Sequence, residues 1–212
     1  MDKDISSIRR VYDKSHLEEN KATNPFELFS EWFDLAIKSD MLDPTAFFLA
    51  TSDSNAKPDG RIVLLKEFNK DGFVFFTNYQ SKKGKDIDKN PYVTAVFFWS
   101  EFERQIRISG KVEKISRKES EEYFHSRPRE AQVGTWASRQ SSPIQSRKDL
   151  ENKYSSMEEK FKNQEIPMPE YWGGYIIIPD YFEFWQGRPG RLHDRIVFQL
   201  KISNWERTRL EP

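Results

Sequence analysis

The chain has 212 residues, of which 34 are basic and 34 acidic, so its formal net charge is zero and no global field exists to hold nucleic acid or an anionic membrane. Its lack of cysteine excludes a disulfide framework, a thiol nucleophile and cysteine-ligated metal or iron–sulfur centres. Aromatic residues at 15% and charged residues at 32% provide bulky core material and a solvated surface, the profile of a globular protein.

The stretch Met1 to Asn24 is highly charged and carries no leader-like segment, and nowhere is there an apolar run of about 18 residues; a cytoplasmic protein is expected. Residues 1–23 read as a flexible polar segment with a small knot at Ile8-Arg9-Arg10-Val11-Tyr12. The expected folded region is a single domain over residues 24–212. It opens with a helix: Asn24 as N-cap, Pro25 at the first helical position and Glu27 three residues after the cap. Phe26, Phe29, Trp32, Phe33 and Ala36 follow at helical spacing and form a buried stripe.

From Thr45 the chain turns to short β-branched and aromatic runs. Thr45–Thr51, Arg61–Phe68 and Phe73–Thr77 are predicted strands, the last two joined across Lys70-Asp71-Gly72. Tyr92–Trp99 and Arg104–Ile115 are two more. Helices are predicted to start at Ser81, at Ser116 with a capping box from Glu119, and at Ser146, the last with Leu150, Tyr154, Met157 and Phe161 on one face. Strands return at Gly174–Ile178, Phe182–Trp185, Arg195–Leu200 and Trp205–Leu210. Closely spaced strands with hairpin connections favour an antiparallel, Greek-key-like barrel within an α+β domain over a βαβ fold.

Glycine-rich nucleotide motifs are absent, and His16, His125 and His193 have no ligand spacing, so no metal site is expected. Cations instead recur beside turns and helix starts. Ser81-Lys82-Lys83 begins a helix, whose free N–H groups and dipole favour an anion, although a solvated helix start has the same composition. Arg61 and Lys66 bracket an apolar strand, on opposite faces by parity unless a bulge intervenes. Tyr123-Phe124-His125-Ser126-Arg127-Pro128-Arg129 ends a helix, where Arg127 and Arg129 would also offset the helix dipole. The densest cluster is Glu183 to Arg195, an aromatic pair and a Gly/Pro turn with three arginines and a histidine, flanked by β-prone runs. Glu183 and Asp194 there are candidate partners for the arginines. With the amides of Gln105, Gln140 and Gln186, such clusters suit a planar, phosphorylated ligand.

These residues resemble the pyridoxamine 5′-phosphate oxidase family. The most specific match is Glu183-Phe184-Trp185-Gln186, four residues, then Arg191-Leu192-His193-Asp194-Arg195. Further matches are Arg61 to Lys66, Phe76-Thr77-Asn78, Tyr123 to Arg129, Gln140-Ser141-Ser142 and the ending Arg209-Leu210-Glu211-Pro212, in order across nearly the whole chain. The resemblance implies an FMN-binding split β-barrel with surrounding helices, a homodimer with FMN at the subunit interface, and oxidation of pyridoxamine or pyridoxine 5′-phosphate to pyridoxal 5′-phosphate by dioxygen.

By the resemblance, FMN contacts fall on Arg61, Ile62, Val63, Leu64, Leu65, Lys66, Phe76, Thr77, Lys82, Lys83, Gln105, Gln140, Ser141, Trp185 and Arg195. Substrate contacts fall on Lys66, Tyr123, Arg127 and position 131, and on Arg191, Leu192 and His193, with Arg191 and His193 the catalytic pair. Arg9, Arg10, Val11 and Tyr12 resemble a substrate-covering segment, a candidate lid. Two departures stand out. Ala131 replaces a serine common in the family, a loss of one hydrogen bond worth roughly 0.5–1.5 kcal/mol and an expectation of weaker substrate binding. Lys82 replaces an arginine and forgoes its bidentate fork.

Overall fold

The computed structural model describes residues 6–7, 11–17 and 22–212; Arg9 and Arg10 of the candidate lid lie outside them. Among the described residues there are five α-helices, α1 (Pro25–Ile37), α2 (Lys82–Lys89), α3 (Arg117–Ser126), α4 (Arg129–Ala137) and α5 (Arg147–Lys160). Nine strands accompany them among the described residues: β1 (Ala46–Ser52), β2 (Pro58–Leu64), β3 (Glu67–Asn69), β4 (Gly72–Asn78), β5 (Tyr92–Trp99), β6 (Arg104–Lys114), β7 (Trp172–Gln186), β8 (Asp194–Lys201) and β9 (Asn204–Leu210). The strand order is β2-β1-β5-β6-β7-β4-β3, with β8 pairing β7 and β9. The β3/β4, β4/β7, β7/β8 and β8/β9 pairs are antiparallel.

The chain divides into two compact units. The first comprises Met1–Phe48, Ala95–Ser109 and Pro179–Pro212. Its α1 begins as the sequence dictates, with Asn24 Oδ1 accepting from Phe26 N–H and Pro25 in the first turn. Of the predicted stripe, Phe29, Trp32 and Ala36 are buried and Phe26 and Phe33 half-buried: Phe29 meets Phe97 edge-on at 5.3 Å between ring centroids and Trp32 meets Phe184 at 5.4 Å. Each such side chain contributes about 1.5–3 kcal/mol through burial.

The second unit comprises Leu49–Thr94 and Gly110–Ile178. Here β4, almost wholly buried, pairs with the first half of β7 from Phe73↔Ile177 to Asn78↔Trp172. The capping box read at Ser116 and the serine caps at Ser81 and Ser146 are all formed. Phe124, Val133, Phe161, Ile166, Met168 and Trp172 form a buried cluster beneath α3, α4 and the end of α5, with Tyr154 and Met157 packed against it.

Three sequence expectations are corrected. The strand expected over Arg61–Phe68 is interrupted between Leu64 and Glu67, where Lys66 N–H still donates to the Val74 carbonyl at 2.9 Å. The two strands expected at Gly174–Ile178 and Phe182–Trp185 are one, β7. Its pairing changes from β4, ending at Ile177, to β8, starting at Tyr181; Pro179, which has no N–H to donate, falls at that changeover. Finally, α4 was not expected. Pro128 ends α3 and precedes α4, and the Val133-Gly134-Thr135 run has weak helix propensity. Arg129 does offset a helix end, but that of α5, by donating to the Phe161 and Gln164 carbonyls.

Candidate active site

A cavity of about 590 Å³ opens in the second unit. One wall is β2 and the residue after its break, through Ile62, Val63, Leu64 and Lys66; the floor is the end of β4, through Phe76, Thr77 and Asn78; α3 and α4 add Tyr123, Arg127, Ala131, Gly134 and Thr135; Ser138, Gln140, Lys83 and Trp172 complete it. Parity accounts for part of the β2 wall: Ile62 and Leu64 share one side of the strand and Arg61 does not line the cavity, while Val63, of Arg61's parity, also reaches it.

Lys83 is 7% exposed, yet no carboxylate pairs with it among the described residues. Its Nζ donates to Thr77 Oγ1 at 3.2 Å and to Gln140 Oε1 at 3.4 Å, both neutral. Burial and the nearby Arg61 charge hold its pKa below the ordinary lysine value, with Asp59 opposing. A buried cation with neutral partners is a docking point for an anion.

Opposite it, Phe76, Tyr123 and Trp172 stack nearly parallel, Phe76 and Tyr123 at 3.8 Å between centroids. The Arg127 guanidinium lies 4.7 Å over the Trp172 ring, a cation–π contact. Its Nη1 donates to Thr135 Oγ1 at 2.9 Å and its Nη2 to the Ala131 carbonyl at 3.1 Å. The guanidinium is therefore held flat between an aromatic face and α4.

Two cations among the expected FMN contacts are committed elsewhere. Arg61 pairs with Asp59 at 2.5 Å and donates to Thr51 Oγ1, which donates to the buried Asp86. Lys82 is 2.7 Å from Asp86, and that hydrogen bond raises its pKa. Lys82 faces a different surface depression, and Leu65 is in the core. Ser141 adopts a positive φ of 68° and is exposed.

The remaining candidates belong to the first unit. Trp185 and His193 pack at 4.7 Å, and Tyr12 meets both edge-on at 5.7 Å. Gly187 makes this possible, because a Cβ there would lie 2.8 Å from the Tyr12 ring. Residues 11–17 are tied down by carboxylates: Glu103 accepts from Lys14 N–H at 3.2 Å and Asp194 from Leu17 N–H at 3.1 Å. Asp194 also pairs with Arg209 at 2.6 Å, as Glu183 does with Arg195 at 2.9 Å and Arg107 at 3.0 Å. The two carboxylates thus hold arginines as expected, and Arg107 and Arg209 join them. Gln105 makes no side-chain hydrogen bond among the described residues, and Val11, Arg191 and Leu192 are exposed.

His193 Nδ1 accepts from Arg188 N–H at 3.1 Å. That bond places the proton of the neutral ring on Nε2. Burial and the Arg191 charge hold its pKa below the usual histidine value, so near neutral pH it is an uncharged Nε2–H donor.

A family model described as pyridoxamine 5′-phosphate oxidase matches residues 33–160, and a second, described as the pyridoxine 5′-phosphate oxidase C-terminal dimerisation region, matches residues 172–212. The chain belongs to the pyridoxamine 5′-phosphate oxidase family. A curated member, the pyridoxine/pyridoxamine 5′-phosphate oxidase of Leptospira interrogans serovar copenhageni, is 50% identical over all of both chains. That of Trichormus variabilis is 47% identical, again over both full lengths. Among solved structures, PhzG from Burkholderia lata, in complex with tetrahydrophenazine-1-carboxylic acid, is 25% identical with a TM-score of 0.86 over 91% of this chain and 95% of its own. A family-related FMN binding protein from Nostoc punctiforme shares the fold at TM-score 0.72 and 14% identity, over 91% of this chain and all of its own. The split β-barrel expected from the sequence is the fold of this family. Among the described residues no helix is long and apolar enough to cross a membrane.

Of the cavity residues, Asn78, Gly134, Thr135, Ser138 and Trp172 were not expected. Thr135 and Gly134 were hidden with the unrecognised α4. Trp172 was hidden because the strand it starts was expected only from Gly174.

Proposed function

We propose that this chain is an FMN-dependent oxidase converting pyridoxine 5′-phosphate and pyridoxamine 5′-phosphate to pyridoxal 5′-phosphate. Dioxygen is the final acceptor and hydrogen peroxide a product, with ammonia released from the amine substrate. The observation that carries this reading is the gathering in one cavity of Lys83, Thr77 and Gln140 with Lys66, Tyr123 and Arg127. The first three fit FMN: a buried cation without a carboxylate suits a phosphate, and an amide and a hydroxyl suit a heteroaromatic edge. The second three suit the substrate phosphate.

When bound, FMN supplies the two-electron acceptor for the hydride that leaves C4′. The chain's own residues bind and orient. Arg127 presents a preoriented fork, Lys66 adds charge, and the Phe76, Tyr123 and Trp172 stack stiffens the wall behind them. In the 172–212 region, Arg191, uncommitted among the described residues, supplies a guanidinium to the pyridine and its substituents. His193 offers its Nε2–H as a donor; its Nδ1 lone pair is taken by Arg188 N–H, so it positions substrate and does not act as the base through that atom. The working form is a homodimer with the cofactor at the subunit interface, and Tyr12 of the candidate lid, packed on Trp185 and His193, contributes to the substrate cover.

The purified protein should be yellow and consume oxygen with either B6 phosphate. Bound FMN without turnover on both phosphates would overturn the oxidase reading. Replacement of Arg195, which Glu183 holds, by Trp is expected to lower flavin retention. Arg191→Ala is expected to keep flavin and slow oxidation about tenfold, the scale of one charged hydrogen bond. Equal flavin content in the Arg195→Trp variant and the unmodified protein would refute that division.

A further inference from the structure

Arg127 has five N–H donors, and its contacts to Thr135 Oγ1 and the Ala131 carbonyl leave three of them uncommitted among the described residues. Those two contacts come from one face of α4, since positions 131 and 135 are one turn apart. Both residues line the cavity. Position 131 offers only a methyl group and a carbonyl; position 135 offers a hydroxyl that accepts from Arg127 while donating to the Ala131 carbonyl at 2.9 Å.

We propose that Thr135 is a phosphate-positioning residue, setting the plane of the Arg127 guanidinium and presenting its own hydroxyl beside it to a phosphate monoester dianion. This rests on the B6-phosphate reading above and deepens it. A bond back to the carbonyl four residues earlier is common for a helical threonine and has no functional meaning alone. Here the same oxygen also receives a charged donor from another segment, and that donor faces the cavity. The hydroxyl proton is shared with a backbone carbonyl that has other donors: Arg127 Nη2 bonds the same oxygen. Rotation of the hydroxyl toward a phosphate oxygen therefore leaves the Ala131 carbonyl satisfied. The hydroxyl missing at position 131 is replaced one turn further along the same helix face, and substrate affinity is not expected to suffer from Ala131.

The test uses full-length Thr135→Val, Thr135→Ser and the double variant Ala131→Ser with Thr135→Val. For Thr135→Val, KM for pyridoxine 5′-phosphate should rise about tenfold, the fold-change of one hydrogen bond to a charged group. Its kcat should change far less and its flavin content should match the unmodified protein. Equilibrium binding of pyridoxal 5′-phosphate should weaken in parallel, while binding of unphosphorylated pyridoxal should not. Thr135→Ser should restore KM, and Ala131→Ser should restore much of it in the Val background. An unchanged KM, a Ser variant that behaves like Val, or a loss of flavin in place of affinity for the substrate would overturn the proposal. If the unmodified protein binds neither B6 phosphate, the functional reading itself falls, an outcome distinct from failure of Thr135 alone.

Discussion

Replacing Gly84 by alanine is expected to destabilise the protein by about 3 kcal/mol, near the upper end of ordinary overpacking. Alanine is the better helix former by about 1 kcal/mol, so propensity alone predicts the opposite sign. Gly84 is in the first turn of α2, where its N–H donates to Ser81 Oγ at 3.3 Å. A Cβ there would overlap the Tyr79 carbonyl oxygen and lie 2.8 Å from Tyr79 Cα. These are backbone atoms, held in turn by the Tyr79 N–H bond to the Tyr171 carbonyl at 2.7 Å, and cannot swing aside like the end of a side chain. Steric repulsion therefore outweighs propensity. At roughly 2–4 °C per kcal/mol for a chain of this size, thermal unfolding should move down by about 6–12 °C. The same displacement would withdraw Lys83 from Thr77 and Gln140, so flavin should also be lost more readily. A Gly84→Ala protein that melts at or above the unmodified one would show that the α2 start has room to move.

The caps at Asn24, Ser81, Ser116 and Ser146 were legible because each depends on residues within one turn of the helix it starts. The aromatic stripe of α1 was legible for the same reason. What escaped were features set by distant partners. The continuity of β7 through Pro179 depends on a change of neighbouring strand that local composition does not record. The helix α4 carries the weak Val133-Gly134-Thr135 run at its centre and is held by Val133 and Ala137 in the core, and by Arg127 and Trp136. With α4 unseen, Thr135 looked like one more polar residue. Lys83 and Lys82 are adjacent in sequence and were read as one cradle, yet helical geometry points one into the cavity and the other at Asp86. The family signature placed the arginines, while the burial of their carboxylate partner was not written in it: Glu183 faces inward at 3% exposure.

Glu183→Ala is expected to cost a further large amount, about 3 kcal/mol at neutral pH. Breaking a buried ion pair by removing one partner costs roughly 3–5 kcal/mol, and the cost here falls at the low end because the Arg195 and Arg107 side chains are 26% and 41% exposed and regain some solvation. Burial pushes the Glu183 carboxyl upward, but hydrogen bonds from Arg195 and Tyr181 and the charges of Arg107 and Arg195 outweigh it, leaving the pKa below the ordinary glutamate value. The sign follows by linkage. A carboxyl depressed in the folded state adds stability that is fully present above its unfolded pKa of about 4.3 and is lost as pH falls through the folded value. The gap between the unmodified protein and Glu183→Ala in urea should therefore be constant from about pH 6 to 8 and narrow on acidification below about pH 4. Glu183→Gln, which keeps an acceptor for Arg195 without the charge, should lose less. A gap that does not narrow in acid would mean that lost packing, and not the two arginines, sets the cost. Because Arg195 keeps its bond to the Glu211 carbonyl at 2.8 Å, the alanine variant should also retain part of its flavin, more than Arg195→Trp does.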